Sequence, residues 1–111
     1  MSVLGELQPN KVFKYFEEIC SIPHGSRNLQ QISDYLVDFA KAHELKYRQD
    51  EDLNVIIWKD GSKGYEASEP VILQGHMDMV AVKEADCDKD MEKEGLDLEI
   101  NRDYISAKGT S

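Results

Sequence analysis

Two side chains in this 111-residue sequence stand where they could do chemistry together: His76 and Asp78, in the run Gly75-His76-Met77-Asp78. A neutral imidazole is a favoured zinc ligand. The ring's second nitrogen normally donates to a carboxylate, which fixes tautomer and orientation. Residues two apart on an extended segment point the same way, so Asp78 can turn back to Nδ1 of His76. Such a pair is half a metal site, one ligand plus the carboxylate that orients it. A bare H-x-D also suits a strand-end histidine hydrogen-bonded to a loop carboxylate, with no metal involved.

The elements that must carry this pair can be read from hydrophobic period. Pro9 suits a first helical position. After it Val12, Phe13, Phe16, Ile19 and Cys20 form one apolar helical stripe. Pro23 ends that helix, because the residue before a proline is pushed out of the α region. Ser26 is suited to cap a second helix, whose stripe is Leu29, Ile32, Leu36, Phe39, Ala40 and His43 and which ends near Glu44. From there the period changes to two. Tyr47 to Asp50 reads as a short strand, and Asn54 to Lys59, β-branched and aromatic, as a better one. Asp60-Gly61 signals a turn, with a polar loop through Glu69. Pro70-Val71-Ile72-Leu73-Gln74 is a short apolar run that suits a strand buried on both faces. It would deliver His76 at its C-terminal end, where open α/β sheets bind ligands. Lys83 to Glu94 is acidic and without apolar period, so it reads as a loop. Leu98, Ile100, Tyr104 and Ile105 suggest two short strands around Asn101-Arg102-Asp103. Two helices followed by a mostly buried sheet give an α/β fold class. A glycine turn directly after a strand, at Ala107-Lys108-Gly109-Thr110-Ser111, gives the chain an interrupted look.

Charge and composition exclude several classes. Asp and Glu number 22 against 13 Lys and Arg, a formal net charge of −9. Nucleic acid and anionic membranes need positive surface, so neither is expected as a partner. Cys20 falls on an apolar helix face and reads as a small core residue. Cys87 lies in the charged loop, and two distant cysteines make no disulfide framework. The N-terminus lacks a basic region and a long apolar run, so it is not read as a signal peptide. No stretch approaches the roughly 20 apolar residues of a membrane span. A cytoplasmic location is the simplest expectation.

Other candidates weigh less. His43 reads as a helix C-terminal histidine favoured by the dipole. His24, after Pro23, reads as a turn-shaping residue, and Trp58 as strand packing. The run Glu84-Ala85-Asp86-Cys87-Asp88-Lys89-Asp90 lacks the alternating oxygens and the glycine of an EF-hand loop, and reads as a solvated loop.

Four landmarks carry a family resemblance. Val71-Ile72-Leu73-Gln74-Gly75-His76-Met77-Asp78-Met79-Val80 resembles the first metal-binding signature of the M20 metallopeptidases, most of all the aminoacyl-histidine dipeptidase branch. Cys20-Ser21-Ile22-Pro23-His24-Gly25-Ser26 resembles that branch's N-terminal segment. Asp52-Leu53-Asn54-Val55-Ile56-Ile57 resembles an aspartate–glycine–asparagine lead into a strand, with Leu53 where glycine is common. Ala107-Lys108-Gly109-Thr110-Ser111 resembles the turn before the metal-bridging aspartate. They occur in family order across nearly the whole chain. The resemblance implies that residues 1–111 are the N-terminal portion of the catalytic domain, without the lid or dimerisation domain. It makes His76 a ligand of one zinc and Asp78 the catalytic-site carboxylate that orients it. It implies two Zn²⁺ ions, a dipeptide substrate (with C-terminal histidine preferred) and a homodimer for the intact protein. The remaining metal ligands and the general-base glutamate have no counterpart here, so the 111 residues alone are expected to be inactive. Two rival readings stand beside this one: an M20 deacylase acting on N-acyl amino acids, and a non-catalytic binding module that keeps part of the scaffold.

Overall fold

The structure is a computed structural model and describes residues 2–111. Along the chain run α1 (Asn10–Cys20), α2 (Gln30–Ala42), β1 (Lys46–Gln49), β2 (Val55–Trp58), β3 (Leu98–Asn101) and β4 (Tyr104–Ala107). Contacts divide the chain into two compact units, one of the residues up to Ile32 together with Asp78–Ser111, the other Ser33–Met77.

In the first unit, Pro9 sits just outside α1, at φ −70° and ψ 126°, and not at its first helical position. The helix closes where Ser21 N–H reaches the Glu17 and Glu18 carbonyls, two residues before Pro23. Of the anticipated stripe only Cys20 is buried. Val12 and Phe16 are exposed. A core residue that periodicity did not nominate is Leu4, 1% exposed. The segment carrying it is held by the Glu17 carboxylate, which accepts from Val3 N–H (2.5 Å), Leu4 N–H (3.1 Å) and the Ser2 hydroxyl (2.9 Å).

The same unit contains the hairpin β3–β4. It is antiparallel, with Leu98 opposite Ala107 and Asn101 opposite Tyr104. Its turn places Arg102 at φ 56°. Leu96 N–H donates to the Cys20 carbonyl at 2.8 Å, tying the hairpin's approach to the end of α1. There Gly95 is required, because a Cβ on it would overlap the Ser21 backbone. Beyond β4 the chain runs antiparallel to residues 80–84. Glu84 N–H donates to the Gly109 carbonyl (2.8 Å) and Ser111 N–H to the Val82 carbonyl (3.0 Å). The acidic stretch is thus a loop pinned at its start. Lys89, with its side chain 8% exposed, pairs with Asp97 at 2.9 Å.

α2 begins at Gln30, four residues past Ser26, so Ser26 is not its cap, and from Ser33 onward the helix belongs to the second unit. Ser33, Val37 and Ala40 are its buried residues there. The helix closes at Ala42, where His43 Nδ1 donates to the Phe39 carbonyl at 2.9 Å and its ring stacks on Phe39. β1 and β2 pair antiparallel, Lys46 opposite Trp58 and Gln49 opposite Val55. Their turn is built on Asp50, whose carboxylate accepts from Asp52 N–H (3.0 Å), Asn54 N–H (2.9 Å) and Asn54 Nδ2 (3.0 Å). Leu53 takes φ 68° inside it. The buried Ser33 hydroxyl donates to the Leu53 carbonyl and accepts from Gln49 Nε2, both at 2.7 Å. That oxygen links helix and hairpin, and Gln49 Nε2 also donates to Asp34 Oδ1 at 3.1 Å.

The α/β class stands, as two helices and two antiparallel hairpins. The buried strand at residues 70–74 does not. Among the described residues that run joins no ladder, and Val71, Ile72 and Leu73 are 84%, 88% and 93% exposed. A strand buried on both faces needs a neighbour at its edges and helices over its faces. Each hairpin here pairs only within itself, and the sheets are half-buried ribbons, not a buried layer.

Candidate active site

The segment carrying Asp78 is positioned by the loop that follows Pro23. Met79 N–H donates to the His24 carbonyl at 3.0 Å, and Ser26 N–H donates to the Met79 carbonyl at 3.2 Å. Together they make a short parallel bridge between Gly25 and Met79. The approach is close enough that a Cβ on Gly25 would lie 2.8 Å from Cβ of Ala81. His24 is buried at 9% exposure, and its Nδ1 lies 2.6 Å from the Ile22 carbonyl. A carbonyl only accepts, so Nδ1 carries the proton. That bond closes the turn, the role expected for His24.

Onto this frame Ser26 adds a side-chain bond. Its hydroxyl donates to Oδ2 of Asp78 at 2.6 Å, a short bond of the kind a carboxylate accepts. Asp78 is half-buried. His76, in the second unit, is exposed. Periodicity missed Ser26, because a contact spanning 52 residues leaves no local trace. The one signal for it was the recognisable Ser-Ile-Pro-His-Gly-Ser stretch.

The donor types suit zinc. As residue types, an imidazole and a carboxylate are a common zinc ligand and its usual orienting partner. Among the described residues no three His, Cys, Asp or Glu side chains gather where a metal could be held.

The sequence is 36% identical over all 111 residues to the cytosol non-specific dipeptidase of Escherichia coli K12. The chain is homologous to that dipeptidase. A solved structure of aminoacylhistidine dipeptidase from Vibrio alginolyticus superposes on 97% of the chain with a TM-score of 0.91 and 34% identity. The dipeptidase fold is thus shared over nearly every described residue, and the resemblance to the dipeptidases is borne out. The chain spans 23% of the length of the first relative and 22% of the second. No family model matches the sequence.

Proposed function

We propose that the intact protein is a zinc-dependent M20 dipeptidase and that this chain is the N-terminal portion of its catalytic domain. The carrying observation is homology to two dipeptidases across essentially the whole chain. His76 is assigned as a ligand of one zinc ion. Asp78 is assigned as the carboxylate that accepts the hydrogen bond of the ring's other N–H, fixing tautomer and orientation. Bound zinc, as a pair of ions, would polarise the scissile carbonyl and bring the pKa of an attacking water toward neutrality. The chain's own work is positional. The His24–Ser26 loop holds Asp78.

Homology to an aminoacylhistidine dipeptidase supports dipeptides with C-terminal histidine as the substrate class. A cytosolic homodimer completes the reading. The relative's name places that enzyme in the cytosol, and no helix among the described residues is long and apolar enough to cross a membrane. With one candidate metal ligand, the 111 residues alone are assigned no turnover. The test is to assay the full-length protein on Xaa-His dipeptides and on N-acyl amino acids. Dipeptide hydrolysis that stops on chelation supports the reading. Hydrolysis of N-acyl amino acids alone makes the protein a deacylase and overturns it.

A further inference from the structure

We infer that Ser26 is a positioning residue for the metal site, acting through Asp78. The inference rests on the assignment of Asp78 as the partner of His76. A carboxylate has two oxygens and about four lone-pair sites. Oriented only by its own side-chain torsions, it samples a broad range at χ2. The Ser26 hydroxyl, 2.6 Å from Oδ2, narrows that range by anchoring one oxygen.

Ser26 is itself held. Its backbone N–H donates to the Met79 carbonyl, one residue past Asp78, and Met79 N–H donates to the His24 carbonyl. Side chain and main chain of Ser26 thus grip two successive residues, and the grip cannot slide along the segment. Asn28 N–H closes the loop on the Gly25 carbonyl at 2.9 Å, which turns the chain back immediately after Ser26. Serine fits because it is short. Its hydroxyl reaches Asp78 from a backbone already bridged to Met79, and an exposed site leaves room for one more methyl. The hydroxyl is therefore free for a task other than helix capping, and α2 starts four residues later.

The experiment uses the full-length protein and reads zinc affinity by competition with a chelating dye, alongside kcat/KM for an Xaa-His dipeptide. Ser26→Ala is expected to weaken zinc binding by about 10-fold, the lower end of what loss of an orienting contact costs. Ser26→Thr, which keeps the hydroxyl, is expected to stay within roughly 3-fold of the wild type on the same scale. In an Asp78→Ala background, Ser26→Ala is expected to add nothing, because coupled residues are not additive. A merely structural role for Ser26 would give equal losses in both backgrounds. The inference is overturned if Ser26→Ala leaves zinc affinity unchanged while Asp78→Ala lowers it, if Ser26→Thr is as weak as Ser26→Ala, or if the losses simply add. If Asp78→Ala itself leaves zinc affinity unchanged, the assignment of Asp78 fails, and this inference fails with it.

Discussion

Gly25 and Ala81 are packed so closely that a Cβ placed on the glycine would lie 2.8 Å from the alanine's own Cβ. Neither atom can swing away, since each is fixed to backbone held by the bridge between Gly25 and Met79. Gly25→Ala is therefore expected to destabilise the protein by about 1–3 kcal/mol, the usual cost of overpacking. Ala81→Gly in the same chain should recover most of that loss. Urea unfolding of the two variants and the pair measures it. A Gly25→Ala protein as stable as the wild type would show that the loop does not sit against residues 79–81.

Leu53 lies in the left-handed region, at φ 68°, within the turn built on Asp50. There a Cβ costs roughly 1–2 kcal/mol. At ordinary positions alanine is more stabilising than glycine. Here the order should invert, with Leu53→Gly more stable than Leu53→Ala by about 1 kcal/mol. Thermal unfolding of the two variants decides the sign.

Ser33 is fully buried, donating to the Leu53 carbonyl and accepting from Gln49. Ser33→Ala leaves both groups short of a partner in the second unit. The expected loss is about 1–3 kcal/mol, against a near-neutral result for a serine at an exposed helix position. Denaturant titration checks it.

Glu17 is held below its ordinary carboxylate pKa of 4.5, first by the Val3 N–H, with partial burial opposing and the Ser2 hydroxyl and Leu4 N–H assisting. A depressed folded-state pKa means that the unfolded chain binds the proton more readily. The stability Glu17 contributes is thus present above 4.5 and is lost as pH falls through the folded-state value. Glu17→Gln should flatten the acid limb of stability against pH and leave its dependence at higher pH unchanged. An unaltered acid limb would contradict the hold of Glu17 on residues 2–4.

What the sequence made legible follows from range. Both helices and both hairpins were visible because their signals are local, a stripe in α1, β-branched residues in β2, and a polar turn between β3 and β4. Leu53 was visible as a departure from glycine, and its positive φ supplies the reason. What stayed hidden was long-range. The helix stripe does not tell that Leu4 folds back under the Glu17 bonds, nor that Ser26 serves Asp78 in place of a helix cap. The run at residues 70–74 misled for the same reason. Its composition states a preference for burial between neighbours, and composition does not supply them. His76 and Asp78 were legible as a chemical pair, and the bond from Ser26 to Asp78 needed the fold.

The most direct test of the central claim is the zinc dependence of His76. The full-length protein is titrated with zinc while hydrolysis of an Xaa-His dipeptide is followed, for the wild type and for His76→Ala. Removing a ligand should cost more than the roughly 10–100-fold lost with an orienting partner, so His76→Ala is predicted to lose both tight zinc binding and activity. Wild-type affinity and turnover in His76→Ala would contradict the assignment of this residue to the metal.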